Sequence, residues 1–231
     1  SAGASSVQKG ETLIDTGCTL DQMGTDVIII RHPMSGAARL LAGHTRASVI
    51  NAGDGMNEHP TQALLDMLTM KQVFGSLEGL TVAIVGDVQH SRVARSNYWG
   101  LTTMGAKVKM AAPETLIPAD MRALGVDITS DLSYALKDAD VVMGLRMQKE
   151  RQQAGLVPSY REYSRFFGIN EQTMQLAKPH AIVLHPGPLN RGVEMTTAVA
   201  DGPQSYIREQ VTSGVAVRRA VLYLLTREEQ R

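Results

Sequence analysis

Two stretches of this chain, Val82-Ala83-Ile84-Val85 and Ala181-Ile182-Val183-Leu184, are apolar at every position. A strand of that kind has no polar face to offer water, so both of its faces must be covered. That is the situation of a parallel strand lying between layers of helix. Similar runs recur along the chain at 26–31, 48–51, 81–87, 107–112, 140–146 and 181–185, and they alternate with helical patterns at 11–23, 61–74, 91–104, 132–137, 170–177 and 215–227. The alternation predicts an α/β fold with parallel sheets. The chain has no internal repeat and no low-complexity segment.

Length allows either one large domain or two small ones, since 231 residues are enough for a sizeable core. The 61–74 helix helps to choose. Its residues Ala63, Leu64, Leu65, Met67, Leu68, Met70, Val73 and Phe74 make it apolar over much of its circumference, as expected of a helix lying between layers and linking two subdomains near residue 60. Twelve methionines against three phenylalanines and one tryptophan imply a core filled by flexible aliphatic side chains. Twenty-three basic residues balance twenty-three acidic ones, so no global field draws the chain to nucleic acid or to a membrane. Cys18 is the only cysteine, which excludes an intrachain disulfide framework and a cysteine-based zinc site and fits a reducing, cytoplasmic setting. No apolar run approaches the length of a membrane span. Gly17, inside the first helical pattern, costs about 1 kcal/mol relative to alanine and has no function visible in the sequence.

The polar residues with chemistry to offer fall at strand exits and helix starts. Arg31, Gly86-Asp87 (leading to Arg92), Arg146 and His185-Pro186 each end a predicted strand. A turn on Gly53-Asp54-Gly55 delivers His59 and Gln62 to the start of the 61–74 helix, with Pro60 where an opening helix tolerates it. Ligands of open α/β sheets bind beyond the carboxyl ends of strands, so these positions point to one site. Each alone has a plain structural alternative: His59 as a helix cap, Arg31 or Arg146 as a solvated strand end. Gly86-Asp87-Val88-Gln89-His90-Ser91 lacks dinucleotide-binding glycine spacing, and the chain shows no P-loop, metal-ligand spacing or Gly-x-Ser-x-Gly element. No cofactor and no metal are expected. Several arginines without a nucleophile describe a pocket for small, multiply anionic substrates, acting by positioning and charge stabilisation.

Six ordered motifs carry a resemblance over nearly the whole chain. They are Lys9-Gly10-Glu11-Thr12, Arg31-His32-Pro33, Asn51-Ala52-Gly53-Asp54-Gly55 with His59-Pro60-Thr61-Gln62, Gly86-Asp87-Val88-Gln89-His90-Ser91-Arg92, Leu145-Arg146-Met147-Gln148-Lys149-Glu150-Arg151, and His185-Pro186-Gly187-Pro188. Together they resemble the aspartate carbamoyltransferases. The resemblance implies two parallel-sheet α/β subdomains, a carbamoyl-phosphate-binding one at 1–60 and 213–231 and an aspartate-binding one at 61–212. The last helix is expected to pack back on the first.

The reaction it implies is attack of the L-aspartate amine on the carbonyl carbon of carbamoyl phosphate, giving N-carbamoyl-L-aspartate and phosphate. Arg31 and His59 would polarise the carbamoyl carbonyl, and Gln62 would orient its amide. Arg92 and Arg146 would clamp the aspartate carboxylates, with Gln148 steadying the Arg146 loop. Carbonyls of Gly187 and Pro188 would face the carbamoyl NH₂ and the attacking amine. Lys9, with Ser5 or Ser6, would reach a neighbouring subunit's site, implying a homotrimer with shared sites and leaving room for a further partner chain. By residues alone, 1–8 read equally well as a surface linker.

One departure bears on all of this. The family's phosphate-binding Ser-x-Arg-Thr-Arg motif belongs upstream of the Lys9 loop, ahead of the first residue of this sequence. The expectation is a fragment whose first subdomain is incomplete and which is inactive alone. Its rival is a non-catalytic scaffold subunit. Ornithine carbamoyltransferase is the other alternative, disfavoured because a cationic substrate does not call for both Arg92 and Arg146, and because its typical His-Cys-Leu-Pro segment is here His185-Pro186-Gly187-Pro188.

Overall fold

A computed structural model describes residues 11–147 and 159–227. In chain order the elements are α1 (Leu13–Gln22), β1 (Val27–His32), α2 (Ala37–Ala42), β2 (Ser48–Asp54), α3 (Pro60–Phe74), β3 (Thr81–Val85), α4 (Arg92–Thr103), β4 (Lys107–Ala111), α5 (Ala119–Ala123), β5 (Asp127–Thr129), α6 (Leu132–Leu136), β6 (Val141–Gly144), α7 (Tyr160–Phe167), α8 (Glu171–Met174), β7 (Ile182–Leu184), α9 (Thr197–Ala200) and α10 (Ile207–Leu225).

Two parallel sheets result. β1 and β2 pair with Val27 opposite Ser48 and Ile30 opposite Asn51. The larger sheet runs β5-β4-β3-β6-β7, so the strand order reverses at β3. The core explains why β3, β6 and β7 read as unbroken apolar runs. Val82, Ile84, Val141, Met143, Ile182 and Leu184 face one layer, with Met70 of α3, Leu101 of α4 and Tyr163 of α7. Ala83, Val85, Val142 and Val183 face the other, with Leu132 and Leu136 of α6, Met174 of α8 and Val199 of α9. Both faces are dry, as the sequence pattern requires. Methionine fills much of this core: Met70, Met110, Met143, Met147 and Met195 are essentially inaccessible.

Several expectations need amending. α3 is not simply an apolar helix. Leu64 and Val73 are exposed, whereas Gln62, Asp66 and Thr69 are buried on the side that meets its neighbours. Those neighbours are chiefly α4 and α10. Thr69 Oγ1 donates to Ser213 Oγ at 2.9 Å, joining α3 to α10 through a polar seam. α10 begins at Ile207, well before the expected 215. Gly214, inside α10, is a packing residue, because a Cβ there would stand 3.2 Å from Leu65 Cδ2 of α3. Gly17 has the same explanation: a Cβ would collide with Leu41 Cδ1 of α2. The short elements α2, α5, β5, α7 and α9 were not expected. Each spans too few residues for periodicity to show. The last turn of α10, at Leu225, borders Asp26 and Ser48 at the starts of β1 and β2.

Candidate active site

The Gly53-Asp54-Gly55 turn is organised by one carboxylate. Asp54 Oδ2 accepts from the backbone N–H of Gly36 at 2.6 Å and from Asn57 Nδ2 at 3.1 Å. Its Oδ1 accepts from Asn51 Nδ2 at 2.8 Å and from the Glu58 N–H at 3.1 Å. Burial alone would raise the Asp54 pKa, but these four donors outweigh it and hold the carboxyl below the ordinary range. The turn is thereby fixed to β2 and to the segment before α2. From the other sheet, Ser96 of α4 accepts the His59 N–H at 2.8 Å and donates to the Glu58 carboxylate. α4 itself is started by Ser91, whose Oγ accepts from the Ala94 N–H at 3.1 Å.

These supports bring the expected groups together. Arg31, His59, Gln62, Arg92, Arg146, Gly187 and Pro188 line one cleft of about 160 Å³, with Ser91, Val93 and Pro186. It opens where β3 and β6 end and the strand order reverses. Arg92 is buried and donates to the Gly55 carbonyl at 3.4 Å. Gly53, at φ +117°, has no side chain to obstruct it, and a Cβ there would stand 2.6 Å from Arg92 Cζ. Ser6, Lys9 and Gln148 lie outside the described residues.

The cations set the state of His59. Burial, then the charges of Arg92, Arg31 and Arg218, lower its pKa to about 4, so the imidazole is neutral near pH 7. A neutral ring donates a hydrogen bond without presenting a competing acid. His185 is likewise pushed down to about 4, first by burial and then by Arg146. Its Nδ1 accepts from the Gly187 N–H at 2.9 Å, which shapes the turn into Pro188.

Residues that sequence reading passed over complete the frame. Asp66, wholly buried beneath the cleft, accepts from Gln62 Nε2 at 2.9 Å, Asn97 Nδ2 at 2.8 Å and Gln210 Nε2 at 2.7 Å. Burial pushes its carboxyl up to about 6 against the lowering pull of those three amides. Buried Glu194 accepts from the Met147 N–H at 2.8 Å, the Asn190 N–H at 2.7 Å and Asn190 Nδ2 at 2.6 Å, tying the chain after Arg146 to the segment after Pro188. Arg218 of α10 adds its charge to the field at His59. The one sequence signal for Asp66 was its position four residues from Gln62 inside a helix that is apolar over much of its circumference. Glu194 and Arg218 had none.

Among the described residues no group of three or more His, Cys, Asp or Glu is placed to hold a metal ion. No helix among them is long and apolar enough to cross a membrane.

Comparison with known proteins decides which chemistry this geometry serves. Residues 1–72 match the family description "Aspartate/ornithine carbamoyltransferase, carbamoyl-P binding domain", and residues 78–225 match "Aspartate/ornithine carbamoyltransferase, Asp/Orn binding domain". The aspartate carbamoyltransferase catalytic subunit of Ruminiclostridium cellulolyticum is 66% identical over 227 residues, covering 98% of this chain and 72% of that one. This chain belongs to the aspartate carbamoyltransferase family. Among solved structures, aspartate transcarbamoylase of Trypanosoma cruzi in complex with carbamoyl aspartate and phosphate superposes with a TM-score of 0.84. It is 35% identical, with 96% of this chain and 73% of that one covered. Ornithine carbamoyltransferase of Thermus thermophilus shares the fold at TM-score 0.81 but only 28% of residues, over 94% of this chain and 72% of that one. Fold alone therefore does not separate the aspartate and ornithine branches of the family; sequence identity does.

Proposed function

We propose that the cleft beyond β3 and β6 is where the family's carbamoyl transfer takes place, with L-aspartate as acceptor. The aspartate amine attacks the carbamoyl carbon, a C–N bond forms, the C–O bond to phosphate breaks, and phosphate leaves with the electron pair and takes up the proton that the amine gives up. Arg31 and the neutral His59 donate to the carbonyl oxygen and stabilise the charge that develops there. Gln62 orients the carbamoyl amide, and the Gly187 and Pro188 carbonyls accept from its NH₂ and from the attacking amine. Arg92 and Arg146 hold the aspartate carboxylates, for which a planar guanidinium is matched two oxygens at a time. Gln148 steadies the Arg146 loop. Lys9 and Ser6 enter from a neighbouring subunit of a homotrimer, and a cytoplasmic enzyme is the setting these roles fit; family resemblance supports both readings.

The observation that carries the proposal is the convergence of four cationic or polarising side chains, Arg31, His59, Arg92 and Arg146, on one cleft. Ornithine as acceptor would bring an ammonium into that cationic field. The test is steady-state kinetics of Arg146→Ala in the full-length enzyme. Loss of a charge-assisted bidentate contact in a desolvated site costs about 3 kcal/mol. Aspartate kcat/KM should therefore fall roughly 10²-fold with carbamoyl phosphate binding nearly unchanged. Normal aspartate saturation, or equal use of ornithine, refutes the assignment.

A further inference from the structure

Asp66 has no place in the reaction just described, yet it is a fully buried carboxylate beneath the cleft that accepts from three side-chain amides. It sits one helical turn after Gln62 on α3, and its three donors come from α3, α4 and α10. An ionised carboxylate can only accept. The Gln62 amide is therefore not free to choose its orientation. Its NH₂ must face Asp66, and its carbonyl Oε1 is the atom left for the cleft that Gln62 lines. The opposite orientation would set Oε1 against a carboxylate oxygen.

The same logic continues through α10. Gln210 spends its NH₂ on Asp66 Oδ1, which leaves its Oε1 to accept the His185 N–H at 2.9 Å. That bond fixes the chain at the point where β7 runs into Pro186, Gly187 and Pro188. We infer that Asp66 is a positioning residue for carbamoyl phosphate: it sets the polarity of the Gln62 amide, so that an acceptor faces the carbamoyl NH₂, and through Gln210 it holds the Gly187–Pro188 acceptors in place. The inference rests on the proposed role of Gln62.

The substitution Asp66→Asn separates hydrogen-bond polarity from charge. With the asparagine carbonyl in the place of Asp66 Oδ1, Gln62 and Gln210 stay as they are, and Gln210 favours this because the His185 N–H already needs its Oε1. The new amide NH₂ then meets Asn97. The Asn97 Oδ1 is buried with no hydrogen-bond partner among the described residues, and a turn of that amide lets it accept, giving up the 3.1 Å bond from its Nδ2 to the Val93 carbonyl. Alanine, by contrast, leaves the Gln62 and Gln210 amides without their acceptor and Asn97 Nδ2 with the Val93 carbonyl alone.

The experiment measures kcat/KM for carbamoyl phosphate and for aspartate in the full-length enzyme carrying Asp66→Asn, Asp66→Ala, Gln62→Ala and the Asp66→Ala/Gln62→Ala pair. Expected are a roughly 10²-fold loss in carbamoyl phosphate kcat/KM for Asp66→Ala and a loss of no more than about threefold for Asp66→Asn. The double variant should lose clearly less than the product of the two single losses, because the part of the Asp66 effect that runs through the Gln62 amide is already gone and only its hold on Gln210 remains. Independent, multiplying losses in the double variant, or an asparagine variant as impaired as the alanine one, overturns the inference. If Asp66→Ala fails to fold by circular dichroism, Asp66→Ser replaces it, being too short to reach the Gln62 amide. If Gln62→Ala itself leaves carbamoyl phosphate use unchanged, the role assigned to Gln62 fails, and the inference about Asp66 falls with it by a result distinct from its own.

Discussion

Gly53→Ala tests how tightly the turn and the arginine are matched. Gly53 sits at φ +117°, and an added Cβ would stand 2.6 Å from Arg92 Cζ and 2.8 Å from its Nε. Two costs follow and they fall on different observables. The left-handed backbone is strained by about 1–2 kcal/mol for a residue with a Cβ, which lowers stability. For a chain of this size that is a fall in Tm of roughly 2–8 °C. The steric cost falls on Arg92, which must retreat by roughly 0.8 Å to ordinary van der Waals separation. It is buried and already spans to the Gly55 carbonyl, so it retreats out of its binding position. A displacement of about 1 Å in a positioning group costs about 10²-fold in rate, or about 2.7 kcal/mol. The assay is steady-state kinetics with aspartate varied at saturating carbamoyl phosphate, alongside thermal melts. Arg92→Lys, with a thinner head group, should partly relieve the clash, so the double variant should lose less than the product of the single losses. An alanine variant that melts lower but uses aspartate normally would show that Arg92 is not coupled to the turn.

Two further outcomes follow from the buried polar groups. Both His59 and His185 are more basic in the unfolded chain, with ordinary values near 6.5 against about 4 in the fold. Between those values the unfolded state binds more protons, so stability is lost as pH falls from about 6.5 toward 4. Asp66 opposes them, since its pKa is raised to about 6 and the folded state gains a proton as pH falls. One net proton leaves a slope of about 1.4 kcal/mol per pH unit between roughly pH 4 and 6. Asp66→Asn should steepen that slope, and urea midpoints that stay flat from pH 7 to 5 would contradict the buried, neutral histidines. Glu194→Gln should raise the aspartate KM about tenfold with carbamoyl phosphate use unaltered, because one amide face cannot accept from both the Met147 and Asn190 N–H groups; unchanged aspartate kinetics would show that this tie does not hold Arg146.

What could be read in advance divides along physical lines. β3 and β7 were legible because burial on both faces leaves no choice of residue, as Ala83 and Val183 show. Arg31, His59, Arg92 and Arg146 were legible because each ends a strand or starts a helix, where parallel sheets present ligand-binding groups. Asp66, Asn97 and Gln210 were not, since a polar residue on a helix reads as solvated until the partner helix is in place. Gly17 misled for a related reason. It looked like a defect in its own helix, and its value lies in how closely Leu41 approaches.

The methionine-filled core gives the molecule an internal reporter of its own breathing. Met23, Met34, Met56 and Met104 are exposed, while Met70, Met110, Met143, Met147 and Met195 are sealed between the sheet and its helices. Peroxide converts an accessible thioether to its sulfoxide and leaves a sealed one alone until the surrounding structure opens. The surface sulfurs thus record exposure to oxidant, and the inner ones record how often the layers part. Because each inner sulfoxide places a polar group among apolar neighbours, the first such event makes the next more probable. Oxidative damage to this fold would consequently accumulate as whole lost molecules, rather than as a gradual decline shared by all of them.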